Sequence, residues 1–436
     1  MKWPKTGEFS GGTRGAFVRS VITLVGGTAI GQIVAVAASP LLTRLYSPSD
    51  FGVIAIYGSL LAMPGALASL RYEAAIPLPA EDEQAANIVG LSVLLVLSWV
   101  ILAFLGVTLY PDEIVGLTNA PGLRPYLVYL PISLLGVGLY QVLSHWALRK
   151  KAYRALAGTK IRQSLGQVCT QLILGLFHAG QTGLVIGEVV GRVSGSGTLA
   201  WAMWIESREV LKHISWATLW RVAIRYKRFP VFSSWSTLLN SVGMQIPTLL
   251  LGVSYGSEVV GWLMLSQRIM GIPLTLVGNA IAQVYLAESA SLIHSAPHMV
   301  AKLFWQTLKR LIILGTLLVG GSALVGPWAF AFVFGSGWAE SGAYVQILTP
   351  LFALQFIASP FGGTLGILER QDLHLLREIL RVAIMAGAVV LAQVFRQSTS
   401  GALLFLSLGG ALGYMVYIWL SWSAIRQAVG LARVSD

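Results

Sequence analysis

Charge is what this chain has little of. Only 11% of its 436 residues are Asp, Glu, Lys or Arg, while 55% are hydrophobic, which is about half the charge density of a soluble domain. Such a chain belongs in a bilayer. Its single cysteine, Cys169, excludes an internal disulfide, and its six histidines show no metal-ligand spacing. No glycine-rich loop ends in Lys-Ser or Lys-Thr, so ATP is not used within this chain and no cofactor is expected. Acidic residues are scarce too, 18 against 30 basic ones. That excess could serve nucleic acid on a soluble fold, but here the cations cluster at the ends of apolar runs, where they set orientation in a membrane. No partner of nucleic acid type is expected.

What is present is a long series of apolar runs. Twelve reach the ~20 residues that cross roughly 30 Å of hydrocarbon. They lie near 20–42, 51–70, 86–109, 125–147, 160–179, 182–204, 231–253, 259–286, 303–326, 341–366, 376–395 and 400–424. The chain also repeats itself. The stretch from Pro40 to Gly52 ends one apolar run, crosses a short acidic turn and begins another, as does the stretch from Pro247 to Gly261. The offset is 207 residues from Pro40 to Pro247 and 209 from Pro64 to Pro273. Tandem halves with polar residues inside their spans are how many secondary transporters build a substrate path. The expected fold is an all-α membrane protein of twelve transmembrane helices, two six-helix bundles in a 6+6 repeat around a central cavity. Residues 1–206 form the first bundle, 207–229 a cytoplasmic interfacial linker helix, and 230–436 the second bundle. The Ala35-Val36-Ala37 triplet resembles a signal-peptidase site, but the apolar run continues to Leu42, so an uncleaved first helix is expected.

Orientation follows from the cations. With the N-terminus inside, every Lys and Arg except Arg44, Arg124, Arg192, Arg268 and Arg396 falls in a cytoplasmic segment. These include Lys2, Lys5, Arg71, the cluster from Arg149 to Arg162, Arg377 and Arg381. Both termini are therefore expected in the cytoplasm. In the linker, Trp216, Leu219, Trp220 and Ile224 interleave with Arg221, Arg225 and Arg228 at helical spacing, the pattern of a helix lying along the inner leaflet. No outer loop is large enough to hold acceptor and catalytic acids together, and no enzyme activity is expected.

Two segments carry a family resemblance. Tyr226 to Asn240 (YKRFPVFSSWSTLLN), followed by Gln245-Ile246-Pro247 and Leu249-Leu250-Leu251, resembles the polysaccharide biosynthesis transporters. These are the Wzx-type lipid-linked oligosaccharide flippases of the multidrug/oligosaccharidyl-lipid/polysaccharide exporter (MOP) superfamily. Leu41 to Gly52 (LLTRLYSPSDFG) is similar to that family's first outer turn. The resemblance implies a bacterial inner-membrane carrier whose cavity opens alternately to each side and moves an undecaprenyl-pyrophosphate-linked glycan outward. It implies further that basic residues on the first, second, seventh and eighth helices receive the pyrophosphate. Arg268 is the best match to that role. The first span offers Gln32 where a mid-membrane cation would stand.

The residues also speak for themselves. Arg268 sits near the middle of its span, where an unpaired Arg costs about 2.5–3.5 kcal/mol on insertion scales. Its guanidinium fork matches phosphate oxygens, and the plain alternative is an ion pair or carbonyl contacts inside the protein. Gln32, Asn240, Gln245, Gln267 and Asn279, with Gln141, Gln283, Gln346 and Gln355, line spans where each needs a partner or water. As a set they fit a hydrated interior for hydroxyl-rich sugar, and singly each can equally join two helices. Glu188 and Arg192 share a helix face and neutralise one another, or Glu188 exchanges a proton or sodium ion while Arg192 tunes it. Gly187, Gly191 and Gly195 form a helix-packing face. Arg44 with Asp50 stands as a salt bridge or cap of the outer turn or as a substrate contact at the exit, Arg71 with Glu73 as an inner gate or a surface pair, and both pairs are candidate gates. Pro64, Pro131, Pro273 and Pro360 are expected to interrupt spans.

The sequence thus points to a flippase for a polyprenyl-pyrophosphate-linked glycan of surface polysaccharide assembly. Its partners would be that lipid, membrane lipids and a polysaccharide polymerase with its chain-length regulator. A multidrug/organic-cation antiporter of the same superfamily would want acidic residues within spans, and these are nearly limited to Glu188. A membrane polymerase or acyltransferase would need catalytic groups outside, where Asp112, Glu113 and Arg124 are the only concentrated candidates.

Overall fold

In lipid every backbone amide must pair within the protein, and apolar runs of this length meet that demand as helices. The computed structural model describes residues 13–293, 297–368 and 370–435, so Lys2 and Lys5 lie outside the described residues. No strand occurs among those described. The helices are α1 (Thr13–Leu45), α2 (Pro48–Ala66), α3 (Asp82–Leu109), α4 (Pro111–Thr118), α5 (Leu130–Arg149), α6 (Tyr153–Leu176), α7 (Gln181–Leu211) and α8 (Trp216–Arg225). They continue with α9 (Ser234–Tyr255), α10 (Ser257–Leu292), α11 (Pro297–Gly315), α12 (Gly321–Phe334), α13 (Ala339–Ile347), α14 (Thr349–Ala358), α15 (Thr364–Ile367), α16 (Gln371–Val394) and α17 (Thr399–Ser435). Two π-helical stretches occur among the described residues: Phe229–Ser233 leads into α9, and Thr316–Gly320 joins α11 to α12. Helix α1 passes without a break through the Ala35-Val36-Ala37 triplet.

Among the described residues, eight helical segments have the length and apolarity to cross a membrane, including α2, α3, α10 and α17. All eight fall on expected runs. The remaining four runs are long helices as well, α6, α7, α9 and α16, but side chains such as Lys160, Gln163, Gln167 and Gln171 on α6, or Arg377, Glu378 and Arg381 on α16, dilute their apolarity. Large apolar side chains such as Ile101 on α3, Leu324 and Phe332 on α12, and Leu408 on α17 stand exposed, as expected where lipid rather than water is the solvent.

The chain divides into two units, residues 1–241 and 242–436. In the first, α6 lies between α1 and α7, and α5 packs on α3 and α7, with Tyr57, Ile88 and Trp146 fully buried. In the second, α17 packs against α16, α14 and α11 around an aromatic core. Phe304 there lies 4.4 Å from Phe361 and 5.4 Å from Trp422 between ring centroids. The first helix pair of each unit turns sharply. Ser47 caps α2 in a capping box: its Oγ accepts from the Asp50 amide at 3.2 Å and its own amide donates to the Asp50 carboxylate at 2.9 Å. Gly256, at φ +88°, a region open to glycine, links α9 to α10. The tyrosine before each turn ties it down, Tyr46 donating to the Gln171 carbonyl at 2.6 Å and Tyr255 to the Gln397 carbonyl at 3.0 Å.

The prolines behave unequally. Pro273 lies inside the unbroken α10, and Pro360 sits in a 3-10 break between α14 and α15. Pro64 is in the last turn of α2, where Trp99 and Gln141 donate to the Pro64 and Gly65 carbonyls at 3.0 and 3.2 Å. Pro131, expected to interrupt a span, instead occupies the first turn of α5. Its missing amide costs nothing there because first-turn amides have no intrahelical partner.

Candidate functional site

Arg268 is the twelfth residue of α10, about 17 Å along it at 1.5 Å per residue. It is half-buried and engaged by neighbouring groups. At about 100° per residue, Thr275, Asn279 and Gln283 fall on the same face as Arg268, and all three are exposed. A face about 100° round the helix from Arg268, with Val260, Leu274, Gly278 and Tyr285, is buried. One side of α10 is therefore a polar stripe headed by a guanidinium. Gln267, also exposed, points away from that stripe. On α9, Asn240 is exposed and Gln245 half-buried, and on α1 Gln32 is half-buried. Of the expected substrate-binding set, Gln32 and Asn240 belong to the first unit, and Gln245, Gln267, Arg268 and Asn279 to the second. Two other span glutamines join helices: Gln141 to α2, as above, and Gln346 to the Ala323 carbonyl at 2.8 Å.

In the first unit a polar seam runs between α6 and α7. Gly187, Gly191 and Gly195 face Gln171, Gln167 and Gln163. A methyl group added at Gly191 would stand 2.8 Å from Gln167, and one at Gly195 2.6 Å from Gln163, so the glycine spacing is a packing face. Within the seam Arg192 pairs with Glu188 Oε1 at 2.7 Å, while Gln167 donates to Oε2 at 2.6 Å. Both carboxylate oxygens of Glu188 are thus occupied. Its side chain is 12% exposed, against 48% for Arg192.

Outside this seam, Asp50 is committed to the capping box at Ser47, and Arg44 is exposed on the last turn of α1. The Arg71–Glu73 pair is not a surface pair. The Glu73 side chain is 1% exposed, held by Arg71 at 3.0 Å and by the Ser69 hydroxyl. Leu70 and Arg71 both take left-handed backbone, φ +48° and +64°, a strain of about 1–2 kcal/mol per residue that places Arg71 over its carboxylate. Tyr72 donates to the Ala223 carbonyl at 2.9 Å, tying this turn to α8. Helix α8 buries Leu219 and Val222 and leaves Trp216, Trp220 and Ile224 exposed as a second apolar stripe.

A group of residues in the second unit carries chemistry that positional reading of the sequence misses. Arg377 and Arg381, counted among the cytoplasmic cations, are enclosed on α16, 14% and 20% exposed, and both clasp Glu378, which is 7% exposed. Both cations already fall within the expected run 376–395, and α16 extends that run upstream to Gln371, which sets them several residues inside the helix. The signal was a carboxylate flanked by two arginines at the edge of an apolar run. Among the described residues no three His, Cys, Asp or Glu side chains gather as a metal site.

This architecture is the multi-pass helical fold of MOP-superfamily transporters. A multidrug resistance MATE family transporter in an inward-facing conformation matches 95% of this chain and 99% of its own at a TM-score of 0.70 and 15% identity. The lipid II flippase MurJ matches 96% and 93% at 0.66 and 11% identity. A MOP-superfamily transporter from Pyrococcus furiosus matches at 0.60 and 14% identity, covering 94% and 96%. The "Polysaccharide biosynthesis protein" family matches residues 41–343, and the chain belongs to that family. The succinoglycan biosynthesis transport protein ExoT of Rhizobium meliloti (strain 1021) is 24% identical over 396 residues, 88% of this chain and 76% of ExoT. The resemblance to the Wzx-type flippases is borne out, and these relatives are transporters and flippases rather than enzymes.

Proposed function

We propose that the chain is an inner-membrane flippase that carries an undecaprenyl-pyrophosphate-linked oligosaccharide from the cytoplasmic to the outer leaflet by alternating access, for surface polysaccharide assembly. In this reading twelve spans form two six-helix bundles, 1–206 and 230–436, around a central cavity. Residues 207–229 form an interfacial linker between them, and both termini are cytoplasmic. Arg268 receives the pyrophosphate, and Gln32, Asn240, Gln245, Gln267 and Asn279 contact the glycan. Glu188 with Arg192 is the candidate for ion coupling, Arg44 with Asp50 and Arg71 with Glu73 are the candidate gates, and a polymerase with its chain-length regulator receives the product.

The observation that carries this reading is the charge of the interior. Among the described residues, Glu188 and Glu378 are carboxylates sheltered within long helices, and each is matched or outnumbered by arginine. An organic cation would meet carboxylates already taken, which disfavours the antiporter reading, whereas an anionic headgroup meets guanidinium. An inside-negative potential favours outward movement of the headgroup by about 2.3 kcal/mol per charge per 100 mV. Arg268→Ala tests the assignment: surface polysaccharide is lost while the protein stays in the membrane. Normal polymer with the variant, or drug sensitivity on deleting the gene, rejects it.

A further inference from the structure

The α16–α17 cluster of the second unit has more positive charge than its own ion pairs require. The two oxygens of Glu378 are shared between two arginines: Arg377 Nε donates to Oε1 at 3.0 Å, and Arg381 Nη2 lies 2.7 Å from Oε2. One carboxylate balances one guanidinium. Arginine cannot shed its proton in a protein, so these three side chains together carry a net positive charge, in surroundings where burying a charge is costly.

The same three residues line a cavity of about 230 Å³ with Ser359, Tyr414 and Tyr417. Tyr417 is 6% exposed. Its hydroxyl is buried beside Arg377 without a well-aligned hydrogen bond among the described residues, and its ring lies under the Arg377 guanidinium, 4.4 Å from centroid to Cζ. Buried hydroxyls are nearly always paired. Net positive charge, forked donors and a buried hydroxyl without a well-aligned partner at one cavity fit one ligand chemistry, an oxyanion with several acceptor oxygens.

We propose that this cavity binds a small oxyanion of the phosphate class, held by Arg377, Arg381 and the Tyr417 hydroxyl. Glu378 is its internal competitor, keeping both guanidinium forks in register when the anion is absent. The anion displaces carboxylate oxygens from the forks and brings the cluster to neutrality. The site stands on the second unit alone. Only the source of the anion, a lipid pyrophosphate headgroup or free phosphate, rests on the flippase reading.

The test is thermal unfolding of the purified full-length protein in lipid nanodiscs, with inorganic phosphate, inorganic pyrophosphate or a short-chain polyprenyl pyrophosphate titrated against chloride at matched ionic strength. Phosphate and pyrophosphate should raise the midpoint saturably and chloride should not. Glu378→Gln removes the competitor and should lower the half-saturating concentration on the order of tenfold, while Arg377→Gln and Arg381→Gln should raise it as much. Tyr417→Phe, which removes only a hydroxyl and keeps the packing, should weaken binding several-fold even if the arginine variants fail to fold. Tighter binding of polyprenyl pyrophosphate, sensitive to the same substitutions, makes the headgroup the source; sensitivity confined to the inorganic anions makes it free phosphate. The proposal is overturned if neither wild type nor Glu378→Gln responds to phosphate beyond chloride, or if Glu378→Gln binds more weakly than wild type. Glycan-lipid transport in the same preparations would then leave the flippase reading standing without this site.

Discussion

Glu188 and Arg192 give the sharpest quantitative expectation. Breaking one side of a fully buried ion pair costs about 3–5 kcal/mol, while an exposed pair is worth about 0.2–1 kcal/mol. Here the carboxylate is sheltered and the guanidinium half exposed, which places the coupling between those limits at about 1–2 kcal/mol. Glu188→Gln preserves an acceptor for Gln167 and removes the charge; Arg192→Gln removes the other charge. Each should destabilise the protein, and the double variant should lose less than the sum by the coupling energy. Denaturant unfolding in mixed micelles measures the cycle. Single-variant losses that add to within about 0.3–0.5 kcal/mol would refute the pair as a stabilising element. A Glu188→Gln protein of unchanged stability whose transport ignores pH and sodium gradients would instead assign the carboxylate to coupling.

Three further expectations follow from local geometry. Glu73→Ala should cost about 2–3 kcal/mol, between the exposed and fully buried limits, because Ser69 and the partly exposed Arg71 lose a buried carboxylate, whereas Leu70→Gly should stabilise by about 1 kcal/mol through relief of its left-handed backbone; thermal unfolding reads both. Gly191→Leu should force α6 and α7 apart and leave little folded protein in the membrane fraction, since the site has no room even for a methyl group beside Gln167. Tyr72→Phe should cost about 1 kcal/mol and speed hydrogen exchange in α8, because it frees the Ala223 carbonyl.

Periodicity and spacing made much of this legible. The Gly187-Gly191-Gly195 spacing announced a packing face because small residues every fourth position bring backbones together, and the structure sets three glutamines of α6 against it. The interleaved tryptophans and arginines from Trp216 onward announced an amphipathic helix, and α8 forms there. What spacing cannot reveal is which cation is enclosed. Arg377 and Arg381 resemble interfacial cations because they stand at the edge of an apolar run, yet a few extra residues of helix and a shared carboxylate draw them inside. Glu73 was hidden for a related reason: two left-handed residues, neither of them glycine, fold its carboxylate inward, and no sequence rule flags Leu70 or Arg71 for that backbone. Pro131 was misread because a proline that starts a helix and one that bends it look alike when helix boundaries are uncertain by a few residues.

The most direct measurement is reconstituted transport of a defined polyprenyl-pyrophosphate-linked glycan, comparing wild type with Arg268→Ala in proteoliposomes under an imposed potential. The account predicts movement by the wild-type protein, accelerated by a potential that draws the anionic headgroup across, and its loss in the variant. Equal rates for the two proteins, or export of organic cations in place of the glycan lipid, would contradict it.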